Sequence, residues 1–491
     1  MTWAKRVVLA LGLALAIVSV IQLERARIGV ERTGFSAGTT PATLYQSVEG
    51  GPVVVIAHGF AGSRQFMEAF SLSLARAGYS VVAFDFEGHG RNPVPMSGDV
   101  NAIEGTTARL IAETVRVTEA AREKTGYDGP VALLGHSMAS DVVVRAGLQM
   151  PGVVATVAIS MFSGAVTADA PDGLLILTGQ WEPHLRTVAL EALHQIDPNA
   201  EEGQTVANDA VTRRAVVAPF VEHVGVLYSP TSLIEARDWL AERLPVPRPE
   251  ASVAVIGPWI GLMMAALVAV TWPLASLLGP RQAPIAALPR NAFWAVLVIP
   301  ALVAPLVATS IPLDLLPVMV ADTLALMLAI YGVLQIGAMW ALGIRFQRLD
   351  WRALALLLVW GLGVFGLALD RYAASFMPIP DRLPIIAALA VGTLPFMIAD
   401  AALTQGGQAR LWRRIAARGA LFVALGIAVA LDPERLFFLV IIFPVLILFF
   451  IVHGLMGRWI GQHGGTMAAG VGLGLILAWA LGVSFPMFDA A

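Results

Sequence analysis

The sequence divides into two parts of very different hydropathy, and this division constrains the fold more than any other feature. Residues from about 25 to 250 have an ordinary polar content, whereas long apolar runs dominate beyond Val253. About eight of these runs approach the length of roughly 20 residues that crosses a bilayer as a helix. They lie at about 253–278, 291–309, 319–343, 353–369, 383–403, 416–431, 436–456 and 465–484, and the sixth is short. The carboxyl-terminal half is therefore predicted to be an all-α polytopic transmembrane domain.

An apolar segment also opens the chain, from Val7 to about Leu23, directly after Lys5 and Arg6. A small-x-small cleavage site is not evident after this segment, so it is predicted to be an uncleaved signal anchor rather than a signal peptide. The positive-inside rule then keeps the N-terminus in the cytoplasm and sends the following residues outward.

Arginine placement in the carboxyl-terminal half predicts the same orientation. The arginines concentrate in alternate connections between the apolar runs: Arg281, Arg290, Arg345, Arg348, Arg352, Arg410, Arg413, Arg414, Arg418 and Arg458. The intervening connections, near 314, 370–382 and 432–435, are mixed or acidic. The Arg-rich connections are therefore expected in the cytoplasm. The predicted setting is a bacterial-type inner (cell) membrane, with residues 26–245 and the C-terminus outside the cytoplasm.

Residues 26–245 alternate strand-like and helix-like segments. Continuous apolar runs, typical of strands buried on both faces of a sheet, lie at 53–57, 80–84, 131–134, 153–160 and 173–178. Two strand-like pieces, 27–33 and 43–46, precede them. The alternation predicts an α/β fold, a mostly parallel sheet with helices on both faces, whose site lies at the carboxyl ends of the strands.

The stretch Val131–Ser140, VALLGHSMAS, has the sequence of a nucleophile elbow. An apolar strand ends in GHSMA, and a helix-like sequence follows. In such an elbow a serine at the tip of a sharp turn is held in strained backbone geometry with its hydroxyl exposed. Ala139 stands where the G-x-S-x-G pattern has its last glycine, and it is small enough for the turn. Ser137 is therefore the candidate nucleophile.

A serine hydroxyl is a poor nucleophile and needs a base that takes its proton during attack on a carbonyl. His223, on a loop after the strand-like segment 215–219, is the candidate base. A carboxylate must in turn fix the tautomer of the imidazole.

Five pieces of the chain together resemble the α/β-hydrolase superfamily of serine hydrolases, over roughly residues 27–245. They are VVVIAHGFAGS at 53–63, DFEGHGR at 85–91, LGHSMAS at 134–140, LLILTGQWE at 174–182 and EHVGVL at 222–227. The resemblance implies an α/β-hydrolase fold with esterase- or lipase-like activity.

The resemblance also implies the chain order nucleophile, acid, histidine, which Ser137, Glu182 and His223 follow. Aspartate is commoner than glutamate at the acid position, so Asp172 and Asp197 remain alternatives to Glu182.

The resemblance assigns the oxyanion hole to the backbone N–H groups of Phe60 and Met138. His58 is expected to brace its loop rather than to catalyse, and residues 85–91 are expected to form a structural loop. Only residues 161–172 separate the strand after the elbow from the strand that carries the acid, so no lid domain fits there. The site is expected to be open, or covered by residues 185–212 or by the membrane domain.

Neither a cofactor nor a metal ion is expected. The chain has no cysteine, which excludes disulfides and thiolate metal sites. The net charge is only −3, and no basic stretch carries interleaved aromatic residues, so a nucleic-acid partner is not expected. The oligomeric state stays open.

The leading hypothesis is a membrane-bound serine hydrolase that cleaves a carboxylic ester or thioester of a lipid or other acyl substrate, with membrane lipids as its surroundings. An acyltransferase would use the same acyl-enzyme and pass the acyl group to an alcohol. A non-catalytic hydrolase-fold module that regulates a membrane transport domain is the third alternative. The predicted division is an anchor at 1–25, a hydrolase domain at 26–245, a Pro-rich linker at 246–252 and a transmembrane domain at 253–491.

Overall fold

A large sheet forms the centre of the amino-terminal half in the computed structural model, which describes residues 1–99 and 102–489. Within these residues it has nine strands: β1 (Glu31–Ala37), β2 (Thr40–Gln46), β3 (Val53–Ala57), β4 (Ser80–Phe84), β5 (Val131–His136), β6 (Val153–Ile159), β7 (Gly173–Gly179), β8 (Thr205–Ala207) and β9 (Thr212–Ala218). The strand order is β1-β2-β4-β3-β5-β6-β7-β9-β8. The run from β4 to β9 is parallel, while β1, β2 and β8 pair antiparallel.

Helices cover both faces of this sheet, as the alternation predicts. They are α2 (Glu68–Ala77), α3 (Ala108–Thr125), α4 (Met138–Gln149), α5 (Pro183–His194) and α6 (Pro230–Arg243). Val54 and Ile56 of β3 belong to the apolar cluster that includes α2 and α6, whereas Val53 and Val55 belong to the cluster of α3 and α4. Alternate side chains of one strand thus point to opposite faces of the sheet, and both faces are buried under helices. The α/β prediction is confirmed.

The first predicted strand, 27–33, is placed too early. Helix α1 (Trp3–Arg27) continues to Arg27, and β1 begins only at Glu31. The reason is a buried ion pair: the Arg27 guanidinium donates to both carboxylate oxygens of Glu68 on α2, at 2.9 and 2.7 Å. This contact holds the last turn of α1 against the sheet domain, so Arg27 stays helical and a turn at 28–30 separates it from β1.

The carboxyl-terminal half is helical throughout. Its helices are α7 (Gly257–Ala275), α8 (Arg290–Ser310), α9 (Ala321–Ala341), α10 (Trp351–Leu358), α11 (Phe365–Tyr372), α12 (Leu383–Leu403), α13 (Leu411–Leu431), α14 (Pro433–Leu436) and α15 (Leu439–Ser484). Counting α1, the described residues contain eight helices that are long and apolar enough to cross a membrane. The short sixth run is the carboxyl-terminal part of α13, which begins earlier at Leu411.

Helix α15 accounts for two of the predicted runs, 436–456 and 465–484. Its 46 residues are interrupted at Gly465, where φ is 86° and ψ is 169°. A side chain at this position would be strained by the positive φ and would lie 2.7 Å from the Gln347 amide oxygen. The helix therefore reverses at a glycine, and its two arms correspond to two separate apolar segments.

The connections between the helices lie at two ends of the bundle. At one end the connections touch each other: Gln282 N–H donates to the Gln462 carbonyl at 2.9 Å, and the Gln408 amide donates to the Gln282 carbonyl at 3.2 Å. This end carries the Arg-rich connections. The other end meets the sheet domain, where Arg91 pairs with Asp370 at 2.6 Å.

A buried arginine joins the bundle to the sheet domain. The Arg382 guanidinium donates to the carbonyls of Gly482 at 2.9 Å and Phe485 at 2.6 Å in the bundle, and to the carbonyl of Gly88 at 2.8 Å in the loop after β4. The Met96 and Met487 backbones also pair, with Met96 N–H donating at 2.8 Å. These contacts lie at the carboxyl end of β4, so the carboxyl edge of the sheet faces the bundle.

Candidate active site

Ser137 occupies a sharp strand-to-helix turn between β5 and α4. Its backbone is strained, with φ at 53° and ψ at −118°. The turn is held by hydrogen bonds: Ser137 N–H donates to the Ile159 carbonyl at 2.8 Å, and the Ser140 hydroxyl donates to the Ser137 carbonyl at 2.6 Å. A Cβ on Gly135 would lie 2.4 Å from the Ala139 carbonyl oxygen, so glycine is needed for the close approach of strand and helix. This is the geometry of a nucleophile elbow.

His223 lies on the loop after β9 and contacts both other candidate residues. Its Nε2 is 2.9 Å from the Ser137 Oγ, and its Nδ1 is 2.6 Å from the Glu182 Oε1. In the tautomer that fits both contacts, the Ser137 hydroxyl donates to Nε2 and Nδ1–H donates to the carboxylate. The structure thus brings together a nucleophile, a base and an acid that are far apart in the chain.

The Glu182 carboxylate is fixed from its other side. Its Oε2 accepts from the Gly179 N–H at 2.6 Å and from the Ser160 hydroxyl at 2.9 Å. Burial alone would raise the pKa of Glu182, but the hydrogen bonds from His223, Gly179 and Ser160 outweigh burial and hold this pKa below its usual value. The group is therefore an anion at neutral pH, as an acid that orients an imidazole must be.

The rival acids lie elsewhere. Asp172 precedes β7, at the amino end of the strand that has Glu182 beyond its carboxyl end. Asp197 follows α5, where its carboxylate accepts from the Asn199 N–H at 2.9 Å. Among the hydrogen bonds of the described residues, only Glu182 of the three candidates contacts the His223 ring.

His136 positions the loop of the candidate base, a contact that the sequence did not suggest. Its Nε2–H donates to the His223 carbonyl at 2.9 Å, and the two rings lie 4.8 Å apart. Burial, together with the nearby His223, lowers the pKa of His136 to about 3. His136 is therefore neutral at working pH and keeps the donor that this hydrogen bond requires. Ser160 was also missed, since an isolated serine after a strand has no distinctive pattern.

The candidate oxyanion donors flank Ser137. Met138 is the first residue of α4, so its N–H has no acceptor within the helix and lies at the positive end of the helix dipole. Phe60 follows Gly59, where an added Cβ would lie 3.0 Å from the Ser137 Cβ. The loop after β3 thus passes directly beside the serine, where an oxyanion donor must lie.

His58 uses both ring nitrogens to brace this loop. Its Nδ1–H donates to the Gly59 carbonyl at 2.8 Å, and its Nε2 accepts from the Phe86 N–H at 3.1 Å. The side chain is fully buried, and burial lowers the pKa of His58, so the ring is neutral. The neighbouring Asp85 is structural as well, because its carboxylate accepts from the backbone N–H groups of Arg64 and Arg91 at 2.8 and 3.1 Å.

Exposed apolar side chains lie on the loops at the carboxyl edge of the sheet, the edge that carries the three residues. Phe162, Trp181, Phe220 and Val224 follow the carboxyl ends of β6, β7 and β9, with 49%, 61%, 76% and 42% of their surface exposed. On the opposite side, the ring of Phe60 lies 5.5 Å from the ring of Phe438 at the start of α15. The helical half of the chain therefore borders the site, and the His223 side chain is 44% exposed.

No group of three or more His, Asp or Glu side chains that could hold a metal ion occurs in the part of the chain that the structure describes. Of the two other histidines near the serine, His58 has both ring nitrogens engaged with backbone groups, and His136 has its Nε2 so engaged.

A match to a protein-family model agrees with the fold of the globular part of the chain. Residues 51–232 match the Hydrolase_4 family, described as serine aminopeptidase, S33. This match and the strand order show an α/β-hydrolase fold in the globular part of the chain, which is joined to a helical region with several apolar helices. No protein of curated function matches the chain.

Solved structures similar to the chain include TT1662 from Thermus thermophilus, with 18% identity, 44% of this chain and 99% of that chain covered, and a TM-score of 0.33. A dienelactone hydrolase from Anabaena variabilis has 18% identity, coverages of 44% and 98%, and a TM-score of 0.32. An epoxide hydrolase from Vigna radiata has 25% identity, coverages of 27% and 41%, and a TM-score of 0.22.

Proposed function

We propose that this protein is a membrane-bound serine hydrolase that cleaves a carboxylic ester or thioester of a lipid or other acyl substrate through an acyl-enzyme on Ser137. The observation that carries the proposal is the continuous set of contacts from the Ser137 Oγ through the His223 ring to the Glu182 carboxylate, at 2.9 and 2.6 Å. A serine on a strained elbow, with its hydroxyl on an imidazole and that imidazole on a carboxylate, is arranged for nucleophilic catalysis.

The steps follow from this arrangement. The Ser137 Oγ attacks the ester carbonyl while the His223 Nε2 takes the hydroxyl proton, and the N–H groups of Phe60 and Met138 stabilise the oxyanion. The intermediate collapses as Nε2–H gives its proton to the leaving alcohol, which leaves the acyl group on Ser137. Water, deprotonated by the same nitrogen, then hydrolyses the acyl-enzyme. Glu182 holds Nδ1–H and stabilises the imidazolium in both steps.

The proposed setting is an inner (cell) membrane, with the N-terminus and the Arg-rich connections in the cytoplasm. The hydrolase domain at 26–245 and the C-terminus then lie outside, with 1–25 as anchor, 246–252 as linker and 253–491 as transmembrane domain. Eight long apolar helices and the concentration of most arginines of the bundle at its end away from the sheet support this setting. An esterase at this position would meet the headgroup region of the outer leaflet.

An activity-based probe tests the enzyme assignment. Full-length protein in detergent should be labelled by a fluorophosphonate and should hydrolyse p-nitrophenyl esters, whereas Ser137→Ala should lose both properties. Ser163→Ala is the matched control, because its hydroxyl contacts Asp141 at 2.5 Å and not the candidate triad. Folded protein that neither reacts with the probe nor hydrolyses esters would favour the regulatory-module alternative, and acyl transfer to an added alcohol in preference to water would favour the acyltransferase.

The orientation can be tested separately because the natural chain has no cysteine. Single substitutions Asp209→Cys in the sheet domain and Ala286→Cys in an Arg-rich connection both fall at exposed positions. In intact cells a membrane-impermeant maleimide should label the first and not the second, and the reverse result would contradict the proposed orientation.

A further inference from the structure

We propose that the acyl chain of the substrate binds in an apolar cleft between the loop after β3, which carries Phe60, and the first arm of α15, so that the membrane half supplies the acyl-binding wall of the active site. The cleft, called here the acyl cleft, is lined chiefly by Phe60, Met319, Phe438, Ile441, Ile442 and Val445. This inference rests on the proposed function and adds to it the location of the acyl chain and the source of the substrate.

The acyl cleft begins where the reacting carbonyl must lie. Phe60 contributes its backbone N–H as a candidate oxyanion donor and its ring as one wall of the cleft. The other wall is Phe438, whose ring lies 5.5 Å from the Phe60 ring. A carbonyl held by the Phe60 N–H therefore has the mouth of the cleft directly beside it, and its hydrocarbon chain is the part of the substrate that an apolar cleft accepts.

The wall formed by the membrane half is one face of a helix. Phe438, Ile441, Ile442 and Val445 are spaced i, i+3, i+4 and i+7, the spacing that places side chains on one side of an α-helix. Polar groups are scarce along the cleft: among the described residues that line it, Ser484 is the only one with a polar side chain. Such a surface suits a hydrocarbon chain and offers no recognition for a sugar or a charged ligand.

The cleft continues onto a surface that lipid tails would cover. Ile441 belongs to the lining and is also 40% exposed. Further along the same helix, Ile447, Leu448 and Ile451 are exposed at 49%, 61% and 61%, as expected for the lipid-facing side of a membrane span. An acyl chain could therefore pass sideways from the membrane into the cleft with little exposure to water, which selects a membrane lipid as the occupant.

The free space in the cleft is small, about 30 Å³. A chain of more than a few carbons enters only if the rings of Phe60 and Phe438 turn apart. Removing the Phe438 ring should then ease the entry of long chains, whereas a larger side chain at Ile441 should block it. The two substitutions have opposite expected effects on chain-length preference, which a general loss of folding would not produce.

The test compares p-nitrophenyl dodecanoate with p-nitrophenyl acetate, using full-length protein in detergent. The readout is the ratio of kcat/KM for the long ester to that for the short ester. Each methylene removed from water is worth roughly a factor of four in binding, so excluding two methylenes in Ile441→Trp should lower the ratio by about ten-fold or more. Phe438→Ala should raise the ratio by several-fold.

Ile447→Trp is the matched control, since it places the same side chain on the same helix at a lipid-facing position and should leave the ratio unchanged. If the wild-type protein hydrolyses both esters but neither substitution moves the ratio, or the control moves it as much as Ile441→Trp, the acyl cleft is wrong and the esterase proposal stands. If the wild-type protein hydrolyses neither ester and is not labelled at Ser137, the proposed function itself fails.

Discussion

Replacing Glu182 by glutamine should remove most of the hydrolytic activity while changing the fold very little. The two oxygens of Glu182 have different partners: Oε2 accepts from Gly179 N–H and the Ser160 hydroxyl, and Oε1 accepts from His223. Because the Gly179 N–H can only donate, the oxygen of a glutamine amide must stay at the Oε2 position. The amide NH₂ group then faces the imidazole.

An NH₂ group in place of the Glu182 Oε1 forces the wrong tautomer on the His223 imidazole. With an NH₂ group 2.6 Å from Nδ1, that nitrogen must accept a hydrogen bond, and the ring proton moves to Nε2. Nε2–H then points at the Ser137 Oγ and cannot take its proton. In a serine protease, loss of the correct histidine tautomer lowers kcat by about 10⁴-fold, which corresponds to roughly 5.5 kcal/mol of transition-state stabilisation.

The assay is the hydrolysis of p-nitrophenyl acetate by detergent-solubilised full-length protein, with the thermal inactivation temperature as a check on folding. Asp172→Asn and Asp197→Asn are the matched controls, because they make the same chemical change at the two rival acids and should keep activity within a few-fold of the wild type. A folded Glu182→Gln protein with kcat within ten-fold of the wild type would show that Glu182 does not set the tautomer of His223, and a large loss in either control would assign that role to another acid.

Three further predictions follow from the environment of the site. Trp181→Ser and Phe220→Ser remove exposed aromatic side chains on the loops that carry Glu182 and His223. They should lower kcat/KM for a long-chain ester in phospholipid vesicles by about ten-fold, and kcat/KM for a soluble ester by clearly less. Equal losses for the two esters would mean that these side chains do not contact lipid. Arg382→Ala removes three hydrogen bonds to backbone carbonyls that join the bundle to the sheet domain, at about 1 kcal/mol each, and should lower the thermal inactivation temperature by several degrees. An unchanged temperature would contradict the bridging role. Burial raises the pKa of Glu113 to about 7, so the folded state binds the extra proton and stability falls as pH rises from about 4.3 to 7. Glu113→Gln should flatten this slope in inactivation temperatures measured between pH 5 and 8, and an identical slope in both proteins would assign it to other groups.

Much of the fold could be predicted because its signals are local. The buried runs of β3, β4, β5 and β7 are continuous in sequence, and the elbow around Ser137 is defined within ten residues. Their alternation with helices leaves few possible sheet orders. The apolar helices are equally local, since length and hydropathy alone identify them.

The rest depends on contacts between residues far apart in the chain. The sequence suggests Ser137, Glu182 and His223 by their order, but nothing in the order shows that Ser160 holds the Glu182 carboxylate or that His136 holds the His223 loop. These are single hydrogen bonds from common residue types, and they exist only once several strands share an edge of the sheet.

The position of the candidate active site relative to the helical half also depends on contacts between distant residues. The contact of Phe60 with Phe438 and the contacts of Arg382 with Gly88 and Phe485 join segments that hydropathy assigns to separate domains. Most of the apolar helices are predictable alone, whereas the way in which they pack against the sheet is set by the complementary surfaces of the folded parts.

The most direct test of the central claim is to trap the covalent intermediate. Full-length protein mixed with p-nitrophenyl dodecanoate should be quenched in acid within the first turnover and its peptides analysed by mass spectrometry. We expect a dodecanoyl group on Ser137 in the wild type and no acylated peptide in Ser137→Ala. Ester hydrolysis at the wild-type rate with the acyl group on another residue, or undiminished hydrolysis by Ser137→Ala, would contradict this expectation.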